Sequence, residues 1–354
     1  MRVLFVKLGA IGDIVHALPA LAAARRAMPD ATIDWVVERR SAEILRGSPA
    51  IDELIEVDTR AIRDIRSPDR ILSAIKTQAA SIRGREYDVA LDLQGLWKSA
   101  MIAKVSGARR RVGFGREGLR EPAARVLYNE KIDIEPRINV IEKNLALVRS
   151  ALELADDGVE LEFPIDTRPE HRMEADSIAG KAGRKFALLN PAGGWVTKLW
   201  RAEDYGKLAG RLAREAGLDP IIVSGPGEED LAARAIDAAG GVDVIRAEPS
   251  LKGFFELAKR AAVYVGGDTG PTHIAVAAGA PVVGIYGPTE WWRNGSPREE
   301  DICVGREDIS CRVDCHRRTC SKWICMDINV ETVFEAVVQR MKRARSGTKE
   351  AAVL

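Results

Sequence analysis

Short apolar runs rich in β-branched residues alternate along the chain with longer stretches whose apolar positions recur at helical spacing. RVLFV (2–6) precedes the helical GDIVHALPALAAARRAM (12–28). TIDWVV (32–37) and ELIEV (53–57) follow, then the helical DRILSAIKTQAASIRG (69–84), DVALDL (88–93), WKSAMIAKVSG (97–107) and a long helix from about Asn139 to Leu154. Such alternation predicts βαβ units and a parallel sheet. Residues 155–183 carry acids, two prolines and no clean period, and read as a connection. The alternation then restarts. KFALLN (185–190) leads to a helix over 202–216, PIIVSG (220–225) to one over 228–239, and DVIRA (243–247) to LKGFFELAKR (251–260). VYVGG (263–267), PTHIAVAAG (271–279) and PVVGIYG (281–287) close the series.

The pattern predicts an α/β protein of two doubly wound domains facing a cleft. We place the first at 1–165 and the second at 166–329. A final amphipathic helix is expected over 330–345, and a frayed tail over 346–354. The length of 354 residues fits two domains. Lys and Arg total 53 against 52 Asp and Glu, so no net field drives nucleic-acid binding. No apolar run reaches 18 residues, and the charged MRVLFVKLGAIGD start does not fit a signal peptide. All five cysteines fall between Cys303 and Cys325, unlike a secreted disulfide scaffold, and a cytoplasmic protein is expected.

Several loops carry candidate chemistry. KLGAIGD (7–13) joins a strand to a helix but lacks the G-x-G-x-x-G dinucleotide fingerprint. It lies at the carboxyl end of a parallel strand, where α/β proteins bind ligands. Asp13 there is either a helix cap or a general base. GGDTGPTHIAVAAG (266–279) crowds Asp268, Thr269, Gly270 and His273 into one strand-to-helix turn. Asp268 and Thr269 suit an N-cap, Pro271 suits the first turn, and the helix N-terminus suits an anion. In NPAGGWVTKLW (190–200), Gly193, Gly194 and Lys198 read as a diphosphate cradle, although no Walker loop is present. In SGPGEED (224–230), Glu228 is a candidate ribose ligand.

Two basic sets sit in the first domain. Residues 98–120 hold seven Lys and Arg, Lys98 and Arg120 among them, against Glu117 alone. Arg60, Arg63, Arg66 and Arg70 form the second set. A charge run is usually a solvated face, but two Arg-rich stretches in one domain point to an anionic ligand. Sparse aromatics argue against nucleic acid. Cys311, Cys315, Cys320 and Cys325 lack any C-x2-C pair, and each five-residue step turns a helix by about 500°. An irregular loop is therefore needed for the four thiols to hold structural Zn²⁺ or iron; reduced cysteines or a labile disulfide are the alternatives.

VKLGAIGDIVHALPAL, LDLQGLWKSA (91–100) and GDTGPTHIAVAAGAPVVGIYGPT (267–289) resemble the lipopolysaccharide heptosyltransferases of glycosyltransferase family 9. RAIRDIR (60–66) and LREPAARVLYNEK (119–131) resemble the members that act first, on Kdo-lipid A. The resemblance implies a GT-B fold of two Rossmann-like domains. The first would bind the acceptor and the second the nucleotide sugar, with the last helix packing back toward the first. It implies an ADP-heptose donor, a Kdo-bearing anionic lipid A acceptor, inversion at the anomeric carbon, and peripheral association with the inner leaflet of the cytoplasmic membrane.

By motif match, Asp13 is the catalytic base. Gly193, Gly194, Lys198, Glu228, Asp268, Thr269, Gly270 and His273 serve the donor. Arg60, Arg63, Arg120 and Lys98 face the acceptor. Hydroxyl residues are frequent in these enzymes where this chain has Gly193 and Gly194, so phosphate contacts there would be backbone N–H alone. No D-x-D motif appears, and no cofactor or metal is required for the chemistry. A second heptosyltransferase, a sugar-nucleotide epimerase or hydrolase, and a non-catalytic binding module are the alternatives.

Overall fold

The computed structural model describes residues 1–59, 79–156 and 158–351. The chain divides into two compact units, Met1–Asp166 and Thr167–Leu354. Unit 1 contains β1 (Arg2–Val6), α1 (Ile11–Val15), α2 (Leu18–Ala27), β2 (Thr32–Glu38), β3 (Glu53–Val57), β4 (Val89–Asp92), α3 (Trp97–Val105), β5 (Arg110–Phe114), β6 (Glu130–Ile132) and α4 (Val140–Leu152). Its six strands pair in the order β3-β2-β1-β4-β5-β6, every pair parallel. Leu4, Val6, Val36, Ile55 and Ala90 pack in one fully apolar cluster, as expected for strands covered on both faces.

Unit 2 contains α5 (Pro169–Ala179), β7 (Phe186–Asn190), α6 (Ala202–Glu215), β8 (Asp219–Val223), α7 (Glu229–Asp237), β9 (Ile245–Ala247), α8 (Leu251–Ala258), β10 (Val263–Gly267), α9 (Gly270–Ala277), β11 (Val282–Ile285), α10 (Trp291–Asn294), β12 (Ile302–Val304) and α11 (Val330–Ala351). Its strands run β12-β11-β10-β7-β8-β9, again all parallel. Counted within each unit, both sheets have the Rossmann order 3-2-1-4-5-6. The chain reverses direction across the sheet between β1 and β4 in one unit and between β7 and β10 in the other. Crevices at those two points are where such sheets bind ligands.

The differences from the sequence reading have local causes. The helix read over 12–28 is split at His16–Ala17. Pro19 has no N–H, and its ring would clash with the carbonyl four residues back, so α1 stops at Val15. The stretch read as an irregular connection contains α5. Its polar composition hides the period, but Pro169 opens it and His171 Nδ1 accepts the Arg168 N–H at 3.0 Å. Strands β6 and β12 are too short to stand out, and β5 is hidden inside the basic run.

The last helix continues to Ala351 rather than ending at 345. The side chains described along it seat on unit 2, where Val333, Phe334 and Val337 join the sheet core. Arg340 Nε donates to buried Asp301 Oδ1 at 2.7 Å, and Asp301 also takes the Val282 N–H of β11. Removing one partner of such a buried pair typically costs about 3–5 kcal/mol.

Helices α6 and α7 approach at backbone distance. A Cβ on Gly206 would lie 2.0 Å from the Ala235 carbonyl oxygen, and one on Gly210 2.5 Å from that of Ala239. Among the described residues, no helix is long and apolar enough to cross a membrane.

Candidate active site

In unit 1 the loop after β1 carries Asp13 into the first turn of α1. Ala10 occupies the N-cap with no side-chain bond, and Asp13 is not the cap. Its carboxylate instead meets Arg120, with Nη2 3.4 Å from Oδ1, and accepts a hydrogen bond from the Gln94 side chain. Burial pushes the Asp13 carboxyl up, but Lys7, Arg120, His16 and the Gln94 bond outweigh it and hold it below the usual range. The expected base and one expected acceptor ligand, 107 positions apart, are therefore brought together.

The loop after β4 faces them across the switch point. Buried Asp92 organises it: Oδ1 accepts the N–H groups of Gln94 (2.8 Å) and Gly95 (3.2 Å). Its Oδ2 accepts from Ser99 Oγ (2.8 Å) and the Tyr128 hydroxyl (2.6 Å). Gly113 makes room for that tyrosine, since a Cβ there would sit 2.4 Å from its ring. Burial pushes the Asp92 carboxyl up against these four donors.

Lys98 lies nearby but is not a free cation. Its Nζ is 3.2 Å from Oε1 of buried Glu38, which also accepts the Thr59 N–H and hydroxyl. Of the basic run, Arg110 is tied to Glu130 and the Ala151 carbonyl, and Arg111 to the Leu127 and Ala108 carbonyls. These two serve the sheet; within the run, Arg120 is the residue that reaches Asp13. Arg60 and Arg63, with Arg66 and Arg70, lie outside the described residues.

In unit 2 the loops after β7 and β10 meet. Asn190 Oδ1 accepts the Ala192 N–H at 3.0 Å and turns the chain after β7. Lys198 then reaches Asp268: Nζ is 2.7 Å from Oδ2 and 3.2 Å from the carbonyl oxygen. His273 Nε2 is 3.2 Å from Asp268 Oδ1, and Asn294 Nδ2 donates to Oδ2 at 3.4 Å. Burial opposes ionisation of Asp268, yet His273 and Lys198 hold its carboxyl far below the usual range. Thr269 occupies the N-cap of α9, but its hydroxyl makes no cap bond, contrary to the capping expected of it. The N-terminus of α9 is thus without a side-chain cap and remains able to meet an anion.

Gly193 packs against this turn, where a Cβ would be 3.1 Å from Thr269 Cγ2; Gly194 has open space beside it. Glu228 lies on the loop after β8, at the N-cap of α7, where its Oε2 accepts the Gly225 N–H at 2.7 Å.

The cysteine segment packs on the Lys198 loop. The Thr197 hydroxyl donates to the Arg317 carbonyl at 2.7 Å, and Trp323 Nε1 donates to the Thr197 carbonyl at 3.0 Å. The Trp195 ring carries Lys198 at 4.3 Å and Arg318 at 5.0 Å from its centroid. Sequence reasoning missed the roles of Arg318 and Trp323, which carry no motif, and of Trp195, which lies within NPAGGWVTKLW but was given none.

Cys311, Cys315, Cys320 and Cys325 are free thiols. Burial raises the Cys325 thiol, and charge on Cys315, Cys320 and Cys311 adds to the rise. Among the described residues, however, no three His, Cys, Asp or Glu side chains are arranged as a metal-binding group. Cys320 Sγ instead accepts the Trp323 N–H at 3.3 Å, while Cys311 and Cys320 are exposed and Cys325 is buried.

Two Rossmann-type units define a GT-B transferase: a base-like carboxylate sits at the switch point of one, and a cation beside an uncapped helix at that of the other. Residues 76–324 match the family model for glycosyltransferase family 9 (heptosyltransferase), and the chain belongs to that family. It is 29% identical over 325 residues to lipopolysaccharide heptosyltransferase 1 of Pseudomonas aeruginosa, covering 91% of this chain and 88% of that protein. Identity to the Escherichia coli K12 enzyme of the same name is 30% over 290 residues, covering 82% and 89%. The solved structure of E. coli heptosyltransferase WaaC with ADP superposes with a TM-score of 0.72 at 28% identity, over 86% of this chain and 93% of that one.

Proposed function

We propose that this chain transfers L-glycero-D-manno-heptose from ADP-heptose to a Kdo residue of the lipopolysaccharide inner core, with inversion, at the cytoplasmic face of the inner membrane. The observation that carries the reading is the division of charge between the two switch points. Asp13 and Arg120 serve one, and Lys198, Asp268 and the α9 N-terminus serve the other. The similar E. coli enzyme has been solved with ADP and with ADP-2-deoxy-2-fluoro heptose, which supports the donor assignment.

A nucleoside diphosphate needs charge neutralisation rather than protonation to leave. One carboxylate then suffices, whereas glycoside hydrolysis typically uses two. Asp13 takes the proton of the acceptor hydroxyl as that oxygen attacks the anomeric carbon from the face opposite the diphosphate. Lys198 and the α9 N–H groups stabilise the negative charge growing on the departing β-phosphate. Gly193, Gly194, Thr269 and Gly270 let backbone approach that phosphate. Asp268, His273 and Glu228 accept or donate hydrogen bonds to sugar and ribose hydroxyls.

Mass spectrometry of the products from ADP-heptose and a Kdo-bearing acceptor tests the reading, with NMR for the anomeric configuration. A heptosylated acceptor of inverted configuration is expected. Free heptose or an epimerised sugar nucleotide, with the acceptor unchanged, would place the chain among hydrolases or epimerases instead.

Arg120, and with it Arg60 and Arg63, would bind the acceptor's carboxylates or phosphates. Lys98 would do so only by exchanging its Glu38 contact. Arg120→Ala is expected to raise the acceptor KM roughly tenfold and to flatten its dependence on ionic strength, with donor KM nearly constant. A rise confined to donor KM would reverse the roles of the two units.

A further inference from the structure

Lys7 is buried, and the mechanism so far gives it no task. Burying an ammonium is costly, and packing alone would be served better by Leu or Met. Its Nζ donates to the Leu93 carbonyl at 2.6 Å, which ties the end of β1 to the loop after β4. One residue on, Gln94 is also buried, and its backbone is pinned by Asp92. Gln94 Oε1 accepts the Leu8 N–H at 3.2 Å, so its NH₂ end is the one presented to the Asp13 carboxylate. Two different neighbours, one donor and one acceptor, thus demand the same amide orientation.

We infer that Lys7 and Gln94 are positioning residues for Asp13: the carboxamide aims the carboxylate, and the ammonium supplies its buried counter-charge. The inference rests on Asp13 being the base. The groups facing Asp13 are Lys7 from the end of β1, His16 from the end of α1, Gln94 from the loop after β4 and Arg120 from the loop after β5. Those facing Lys7 are Asp13, Arg120 and Asp92. Burial pushes the Lys7 ammonium down to about 8, while Asp13 pulls it back up. Asp13 is held low in turn, so it is ionised and aimed before an acceptor arrives, and no reorganisation is left for the proton transfer.

The test is the pH profile of kcat/KM for the full-length enzyme with ADP-heptose and a Kdo-bearing acceptor. Gln94→Glu keeps an acceptor for Leu8 but replaces the donor to Asp13 with a second carboxylate. Its acid limb should move up by on the order of one pH unit or more. Turnover at neutral pH should fall roughly 10- to 100-fold, with donor KM little changed. Lys7→Met should move the limb the same way, and Lys7→Arg should stay nearer the wild type.

If Lys7→Met fails to fold, Gln94→Glu decides alone. An unmoved acid limb in Gln94→Glu, whatever its thermal stability, would reduce both residues to structural parts and overturn the inference. Asp13→Asn, run alongside, separates the two readings: near-normal turnover in that variant removes the base assignment itself.

Discussion

Asp13→Asn should lower kcat by roughly 10²–10⁴-fold while leaving ADP-heptose affinity nearly intact. The amide matches the carboxylate in shape and can still accept the hydrogen bond from Gln94, so local packing should survive. It cannot take a proton at neutral pH. It also gives up the attraction to Lys7 and Arg120, which offsets the cost of burial only while the group is charged. The loss should therefore appear in kcat for the acceptor reaction and not in donor KM, because the groups proposed to hold the donor belong to the other unit. Single-turnover rates and nucleotide binding by calorimetry measure the two halves separately. A variant within a few-fold of wild-type turnover would leave Asp13 as a structural carboxylate.

Lys198→Ala is expected to lower kcat/KM for the donor by roughly 10²–10³-fold, the range for removing one preorganised group aimed at developing charge. Here two losses combine. The β-phosphate loses its cation, and Asp268, 2.7 Å from Lys198 Nζ, becomes an uncompensated anion beside it. Asp268→Asn in the Lys198→Ala background should relieve the second loss. The double variant should then bind ADP more tightly than Lys198→Ala alone, a coupling that a mutant cycle resolves. Donor kcat/KM within about fivefold of wild type in Lys198→Ala would move the diphosphate away from this loop.

The parallel fold was readable because strands covered on both faces must be continuous apolar runs, as in RVLFV and VYVGG. Asp13, Lys198 and Asp268 stood out because each follows such a run within one loop, at the end of the strand where ligands bind. What escaped was carried by distance or by polarity. Gln94 approaches Asp13 across 81 positions, and a single sequence holds no trace of that contact. Thr197 meets Arg317 and Trp323 across 120 and 126 positions for the same reason. Arg110 and Arg111 looked like ligand-binding charge because their partners, Glu130 and the Ala151, Leu127 and Ala108 carbonyls, are a carboxylate on a three-residue strand and backbone groups that carry no sequence signal. Helix α5 was lost because a polar helix shows no apolar stripe.

The backbone contact between α6 and α7 bears on how this enzyme can be re-engineered. At most helix crossings a layer of side chains lies between the axes, and repacking it lets one helix slide by an ångström or so. At Gly206 and Gly210 that layer is missing, and the carbonyl oxygens of Ala235 in α7 and of Ala239 just beyond its end occupy the space any side chain would need. Glu228, at the head of α7, is thus fixed by rigid backbone rather than adjustable packing. Directed evolution toward a donor with another nucleoside should therefore find few solutions in this helix pair. Accepted changes should collect in the Ser224–Gly227 loop, where the chain can be lengthened or redrawn without disturbing the sheet behind it.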